Sequence, residues 1–143
     1  CTSGMFNEFI GTVTDEAEVK PDTIENLKRL IGMLPQYERF ALHELMMHLS
    51  KVASHAPTNN MKADNLAIVI GPNILKSPDP LTQASGVPNT FKKVFKVIEV
   101  MIAHCTQVFD GIDEQRRALL EAAQAESAKE RAQFRSVRQI VSE

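Results

Sequence analysis

Two histidines flank a glutamate in His43-Glu44-Leu45-Met46-Met47-His48, the residues in this chain closest in type to a metal centre. A zinc-binding helix needs its histidines four apart, so that both rings leave one face. These are five apart, and at about 100° per residue the rings diverge by roughly 140° on a regular helix. Histidines on the helix surface or packed against neighbours are expected instead, with no metal. His104 and Cys105 are adjacent in sequence, which separates their side chains rather than pairing a nucleophile with its base. Gly71-Pro72 lacks the lysine and hydroxyl of a phosphate-binding loop. Lys92, Lys93 and Lys96 fit a solvated helix face, as do Arg116, Arg117, Arg131, Arg135 and Arg138. The residues therefore predict no self-contained catalytic group and no cofactor. What remains is the stretch NNMKADNLAIVIGPNIL, Asn59 to Leu75, where asparagines and an aspartate punctuate an apolar segment. An amide both donates and accepts, so Asn65 can cap a helix, bridge two helices or meet a partner. Leu66, Ala67, Val69 and Ile70 are expected in the core.

The elements that position these residues read as helices throughout. Lys20-Pro21-Asp22-Thr23 starts one, with proline near the first turn and an acidic residue early. Ile24, Leu27, Leu30 and Ile31 follow at helical spacing, and Gly32 and Pro35 break the pattern. A longer helix is predicted from Gln36 to Ser54, with Phe40, Leu45, Leu49 and Val52 on one face and Leu42 and Met46 widening it. Pro57-Thr58-Asn59-Asn60 reads as loop. A short helix from Lys62 to Ile70 should stop at Gly71-Pro72, because proline lacks a donor and restricts its predecessor. Residues 77–88, with Pro78, Pro80, Gly86 and Pro88, read as a loop. Asn89-Thr90 should cap the next helix, whose stripe of Phe91, Val94, Phe95, Ile98, Met101, Ile102 and Cys105 is broad enough for a buried bundle helix. Gly111 closes that unit, and Asp113 can cap a last helix over Glu114–Val141. That segment is rich in Ala, Glu, Gln and Arg and shows no sustained heptad. The expected organisation is residues 1–109 as one helical domain and 110–143 as a helical extension.

Composition narrows the function classes. A formal charge of −2 over 143 residues argues against a nucleic-acid binder, which normally carries a basic excess. No apolar run approaches the roughly 18 residues of a membrane-spanning helix. Cys1 and Cys105 are too few for a disulfide framework, and a buried Cys105 fits a reducing, cytoplasmic setting.

The segment from Asn59 to Leu75 resembles the signature N-K-M-x-x-x-N-L-A-x-V-F-G-P-x-L-L of the domain that activates Rho-family GTPases, the RhoGAP domain. Asn59, Met61, Asn65, Leu66, Ala67, Val69, Gly71, Pro72 and Leu75 match it. Asn60 replaces the family's lysine and Ile70 its aromatic. Upstream, Leu27, Lys28, Leu30, Leu34, Pro35, Leu42, Leu45, His48, Leu49 and Val52 fall in register with L-K-x-L-x-x-L-P-x-x-N-x-x-x-L-x-x-L-x-x-H-L-x-x-V, with Glu38 in place of the asparagine. Pro88-Asn89-Thr90-Phe91 is similar to the start of a later family helix.

This resemblance implies an all-α bundle, spanning about Phe6 to Phe109, that binds a Rho-, Rac- or Cdc42-like GTPase. It implies contacts through Asn59, Lys62, Asn65, Pro88 and Asn89. Family members insert an arginine, borne on a G-x-x-R-x-S-G loop, into the GTPase site, worth roughly 10³ to 10⁵ in rate. Cys1-Thr2-Ser3-Gly4 echoes only the end of that motif, with cysteine in place of arginine, and lies too near Leu27-Lys28-Arg29-Leu30 to be it. Arg29 and Arg39 do not fit the motif either. The chain is therefore expected to be the C-terminal portion of such a domain, a regulator without the arginine finger and inactive alone. A non-catalytic scaffold module is the alternative, and the residues preceding Cys1 would separate the two. Apolar faces left uncovered in such a portion would favour a homodimer or domain swap, with Glu114–Val141 as a further contact.

Overall fold

The computed structural model describes residues 5–13, 19–79 and 88–142. Among them are eight helices and no strand. The chain divides into two compact units, Cys1–Asp110 and Gly111–Glu143.

In the first unit, α1 (Phe6–Gly11) turns Phe6 and Phe9 inward and is closed by the Thr12 hydroxyl, which donates to the Phe9 carbonyl at 2.7 Å. α2 (Pro21–Met33) opens on a proline whose missing N–H would have had no helical acceptor. It buries Leu27, Leu30 and Ile31. Gly32 stays inside its last turn; the helix ends only at Leu34, which Pro35 holds extended. α3 (Gln36–Ser54) follows at once and buries Phe40, Leu42, His43, Met46 and Leu49.

Three boundaries differ from expectation. Residues 56–59 are not loop but a one-turn helix, α4 (Ala56–Asn59), with Pro57 in its first turn and Asn60 as a left-handed cap at φ 58°. α5 (Ala63–Ile74) does not stop at Ile70 but carries Pro72 inside it. Proline removes only the hydrogen bond to the Ile68 carbonyl, and Ile68 is 53% exposed, so water can take that acceptor. The residue before the proline is Gly71, whose lack of a side chain relieves most of the usual pre-proline clash. Finally, α6 (Pro88–Ala103) begins at Pro88, so Asn89 and Thr90 lie in its first turn rather than capping it. Proline is well suited to that first position.

α6 is the axis of this unit. Val97, Ile98, Val100, Met101 and Ile102 are all within 1% of full burial, and α1, α3 and α5 pack on it. Of these five, Val97 and Val100 lie outside the stripe read from sequence. A second one-turn helix, α7 (Cys105–Val108), leans on α2 and α3. There the buried His43 ring meets Phe109 at 5.4 Å between centroids, and the buried Cys105 Sγ lies 3.4 Å from Met47 Sδ. The Lys28–Asp110 ion pair, 3.3 Å, is too exposed to contribute much.

The tightest helix crossing is α5 on α6. Gly71 is buried, and a Cβ placed there would lie 3.3 Å from Val94 Cγ1 and 3.4 Å from Phe95 Cδ1. The second unit is built on α8 (Ile112–Val141), which Gly111 introduces in a left-handed conformation, φ 79°. Gly111, not Asp113, therefore occupies the capping position.

Gly71→Val should overfill the α5–α6 crossing at a cost of about 1–3 kcal/mol, lowering the melting temperature by on the order of 5–10 °C. Calorimetry checks this; an unchanged transition would mean the helices do not depend on so close an approach.

Candidate partner-binding surface

The connection from α3 to α5 is organised by asparagine side chains. Asn59 Nδ2 donates to the Val52 carbonyl in the last turns of α3 at 3.0 Å, and its Oδ1 accepts the Met61 N–H at 2.9 Å. One amide thus gives the Val52 carbonyl, which also accepts the His55 N–H at 3.1 Å, a second donor and fixes the chain's entry into α5. Between these contacts Asn60 takes the left-handed conformation, which asparagine tolerates better than most residues. Its carbonyl then accepts from Asn65 Nδ2 at 3.3 Å. Asp64 Oδ1 accepts the Asn65 N–H at 2.9 Å, and the Asp64 carboxylate also suits the positive end of the helix dipole.

Asn59, Lys62 and Asn65 are all exposed and come together within this one connection. Beyond it the outward face of α5 continues through Ile68, 53% exposed, and Val69, 64% exposed, to Asn73. The inward face is Leu66, Ala67 and Gly71. Val69 is therefore a surface residue, not the core residue expected. The signal was available: Asn65, Ile68, Val69 and Pro72 recur at helical spacing on the side opposite Leu66, Ala67 and Gly71.

Pro88 and Asn89 are placed elsewhere. Val94 and Ile98 flank Gly71, while Thr90 and Phe91 line a cavity of about 270 Å³ with Pro72 and Leu75. α5 and α6 thus run antiparallel, and α6 begins beside the far end of α5, on the order of 15 Å along the helix from Asn65. The backbone of Pro88 and Asn89 is helical; their side chains lie outside the described residues.

Among the described residues no group of three or more His, Cys, Asp or Glu could hold a metal ion. His43 is buried and His48 exposed, on different faces of α3. Among the described residues, no helix is long and apolar enough to cross a membrane.

An all-α bundle carrying the spaced motif around Asn65 defines the class. The chain belongs to the RhoGAP domain family, whose profile matches residues 1–79. It is 37% identical over 102 residues to human GEM-interacting protein, covering 68% of this chain and 10% of that protein. It is 28% identical over 131 residues to Rho GTPase-activating protein 29 of Rattus norvegicus, covering 75% of this chain and 10% of that one. The chain thus spans about a tenth of the length of these relatives. Its fold is similar to that of human Rho GTPase activating protein 15, with a TM-score of 0.61 and 23% identity, over 74% of this chain and 48% of that one.

Asn59→Ala should lose both contacts that pin the start of α5, costing about 1 kcal/mol because the site is solvated. The amide of Met61 should then exchange with deuterium distinctly faster while the α6 amides hold. Equal protection at Met61 in both proteins would show that the Asn59 amide is dispensable there.

Proposed function

We propose that this chain binds a Rho-family small GTPase, Rho-, Rac- or Cdc42-like, as a regulator rather than an enzyme. The observation that carries the reading is Asn65. It is exposed at the start of α5, held by the Asn60 carbonyl, and continuous with the apolar Ile68–Val69 strip. An amide fixed in place before binding loses little conformational freedom on contact, and an apolar strip beside it supplies area that water leaves readily. Lys62 and Asn59 border the same patch, and Pro88 and Asn89 form a separate contact at the opposite end of α5.

By the same reading the chain does not speed GTP hydrolysis alone. Charge developing on the transferring phosphoryl group calls for an arginine supplied to the GTPase site. Arg39 is committed elsewhere, with Nη1 donating to the Gly32 carbonyl at 3.1 Å and the guanidinium 5.9 Å from the Phe40 ring centroid. Arg29 lies on α2, outside any G-x-x-R-x-S-G segment. The chain then works in the cytoplasm, as a GTPase-docking portion of an activator or as a scaffold that docks without activating.

The test is titration of the 143-residue chain against Rho, Rac and Cdc42 loaded with a non-hydrolysable GTP analogue, read by calorimetry. Binding to at least one is expected, weakened about tenfold by Asn65→Ala, or about 1.4 kcal/mol. In a parallel assay, hydrolysis of GTP by the bound GTPase stays at its intrinsic rate. No binding to any of the three defeats the docking reading, and acceleration by the chain alone defeats the inactive one.

A further inference from the structure

Of the residues of α8, only Ile112 is buried, although the helix is 30 residues long. Leu120, Phe134, Val137, Ile140 and Val141 are 55, 75, 59, 71 and 80% exposed. Taken at alternating steps of three and four, the helix presents one seam: Leu120, Ala123, Ser127, Glu130, Phe134, Val137, Val141. Ser127 and Glu130 interrupt it in the middle, which is why no heptad run stands out in the sequence. The two halves differ in size, with Leu120 and the small Ala123 on one side and Phe134 and Val137 on the other.

We propose that α8 pairs antiparallel with α8 of a second copy of this chain, in the register that seats Phe134 on Ala123 and Leu120 on Val137. In that register Phe134 meets the smaller Ala123 and Leu120 the smaller Val137, twice per dimer, as close packing requires, while Val141 lies against the aliphatic stem of Arg116. The interrupted centre also pairs: the Ser127 hydroxyl of one copy faces the Glu130 carboxylate of the other and can donate to it. At the rims Leu119 meets Ile140 and Gln124 meets Arg131. Arg117 approaches Arg138, with Glu121 of the same copy beside it to offset the like charges. The helix dipoles oppose each other, which also favours this direction.

The parallel arrangement is worse at the Phe134, Ala123 and Glu130 layers. It would stack Phe134 on Phe134 and leave Ala123 facing Ala123, overfilling one layer and underfilling another. It would also set Glu130 directly against Glu130. One favourable Glu126–Arg131 contact on each side does not repair a seam with both faults, because exposed ion pairs contribute little. The pairing uses no residue of the α5 face, so it stands or falls independently of GTPase binding.

Sedimentation of the 143-residue chain over a hundredfold range of concentration should show a reversible monomer–dimer equilibrium. Phe134→Glu, at a solvent-facing position, should weaken it at least tenfold without changing the melting transition of the monomer. For direction, Leu120→Cys and Val137→Cys are prepared separately in a Cys1→Ser background, mixed and oxidised. Disulfide-linked dimer forming in the mixture, and not from either variant alone, is the expected result. A chain that stays monomeric throughout overturns the proposal. So does a dimer indifferent to Phe134→Glu, or cross-linking of Leu120→Cys with itself.

Discussion

The contact on which the first unit depends is the missing side chain at Gly71. With nothing there, α5 settles against Val94, Phe95 and Ile98 of α6. That approach decides which side of α5 faces in. Leu66 and Ala67 share the side of Gly71 and are buried, so Asn65, Ile68 and Val69 must face out. Each large aliphatic side chain buried along α6 contributes about 1.5–3 kcal/mol, whereas each exposed hydrogen bond around Asn65 contributes about 1 kcal/mol or less. Packing therefore determines the orientation of the helix, and the polar network refines how its first turn is presented.

The proline after Gly71 belongs to the same design. A helix interior usually rejects proline, but here the carbonyl it orphans lies on the solvated side and its predecessor brings no side chain to clash. The pair lets one helix be pressed tightly against the core on one side while tolerating an imperfection on the other. The exposed face of α5 is thereby carried on a helix packed along its whole inner side.

Much of this was legible in the residues. α2 and α3 follow from apolar periodicity and from prolines at helix starts, and α3 runs from Gln36 to Ser54 as its pattern requires. The family signature around Asn65 identified the fold class. What escaped the reading has two causes: contacts that a single-face pattern does not show, and local spacing within α5 that apolar composition masked. Gly-Pro does not end α5 because the acceptor lost to Pro72 is on the exposed side and Gly71 brings no side chain to clash. The acceptor of the Asn59 amide is seven residues back, at the end of α3. Val69 looked like core because its neighbours are apolar, although its helical spacing with Asn65, Ile68 and Pro72 sets it on the side away from Gly71. Val97 and Val100 fell outside the expected stripe because α6 is packed on several sides, so no single face describes it.

Cys105 carries a consequence of its own. Its sulfur is sealed between α7 and α3, 2% exposed and 3.4 Å from the thioether of Met47. A thiol-selective reagent can reach it only when α7 lifts away from the bundle. The rate at which that thiol is alkylated, read at the Cys105 peptide and so apart from Cys1, therefore becomes an internal clock for breathing of the core with no residue substituted.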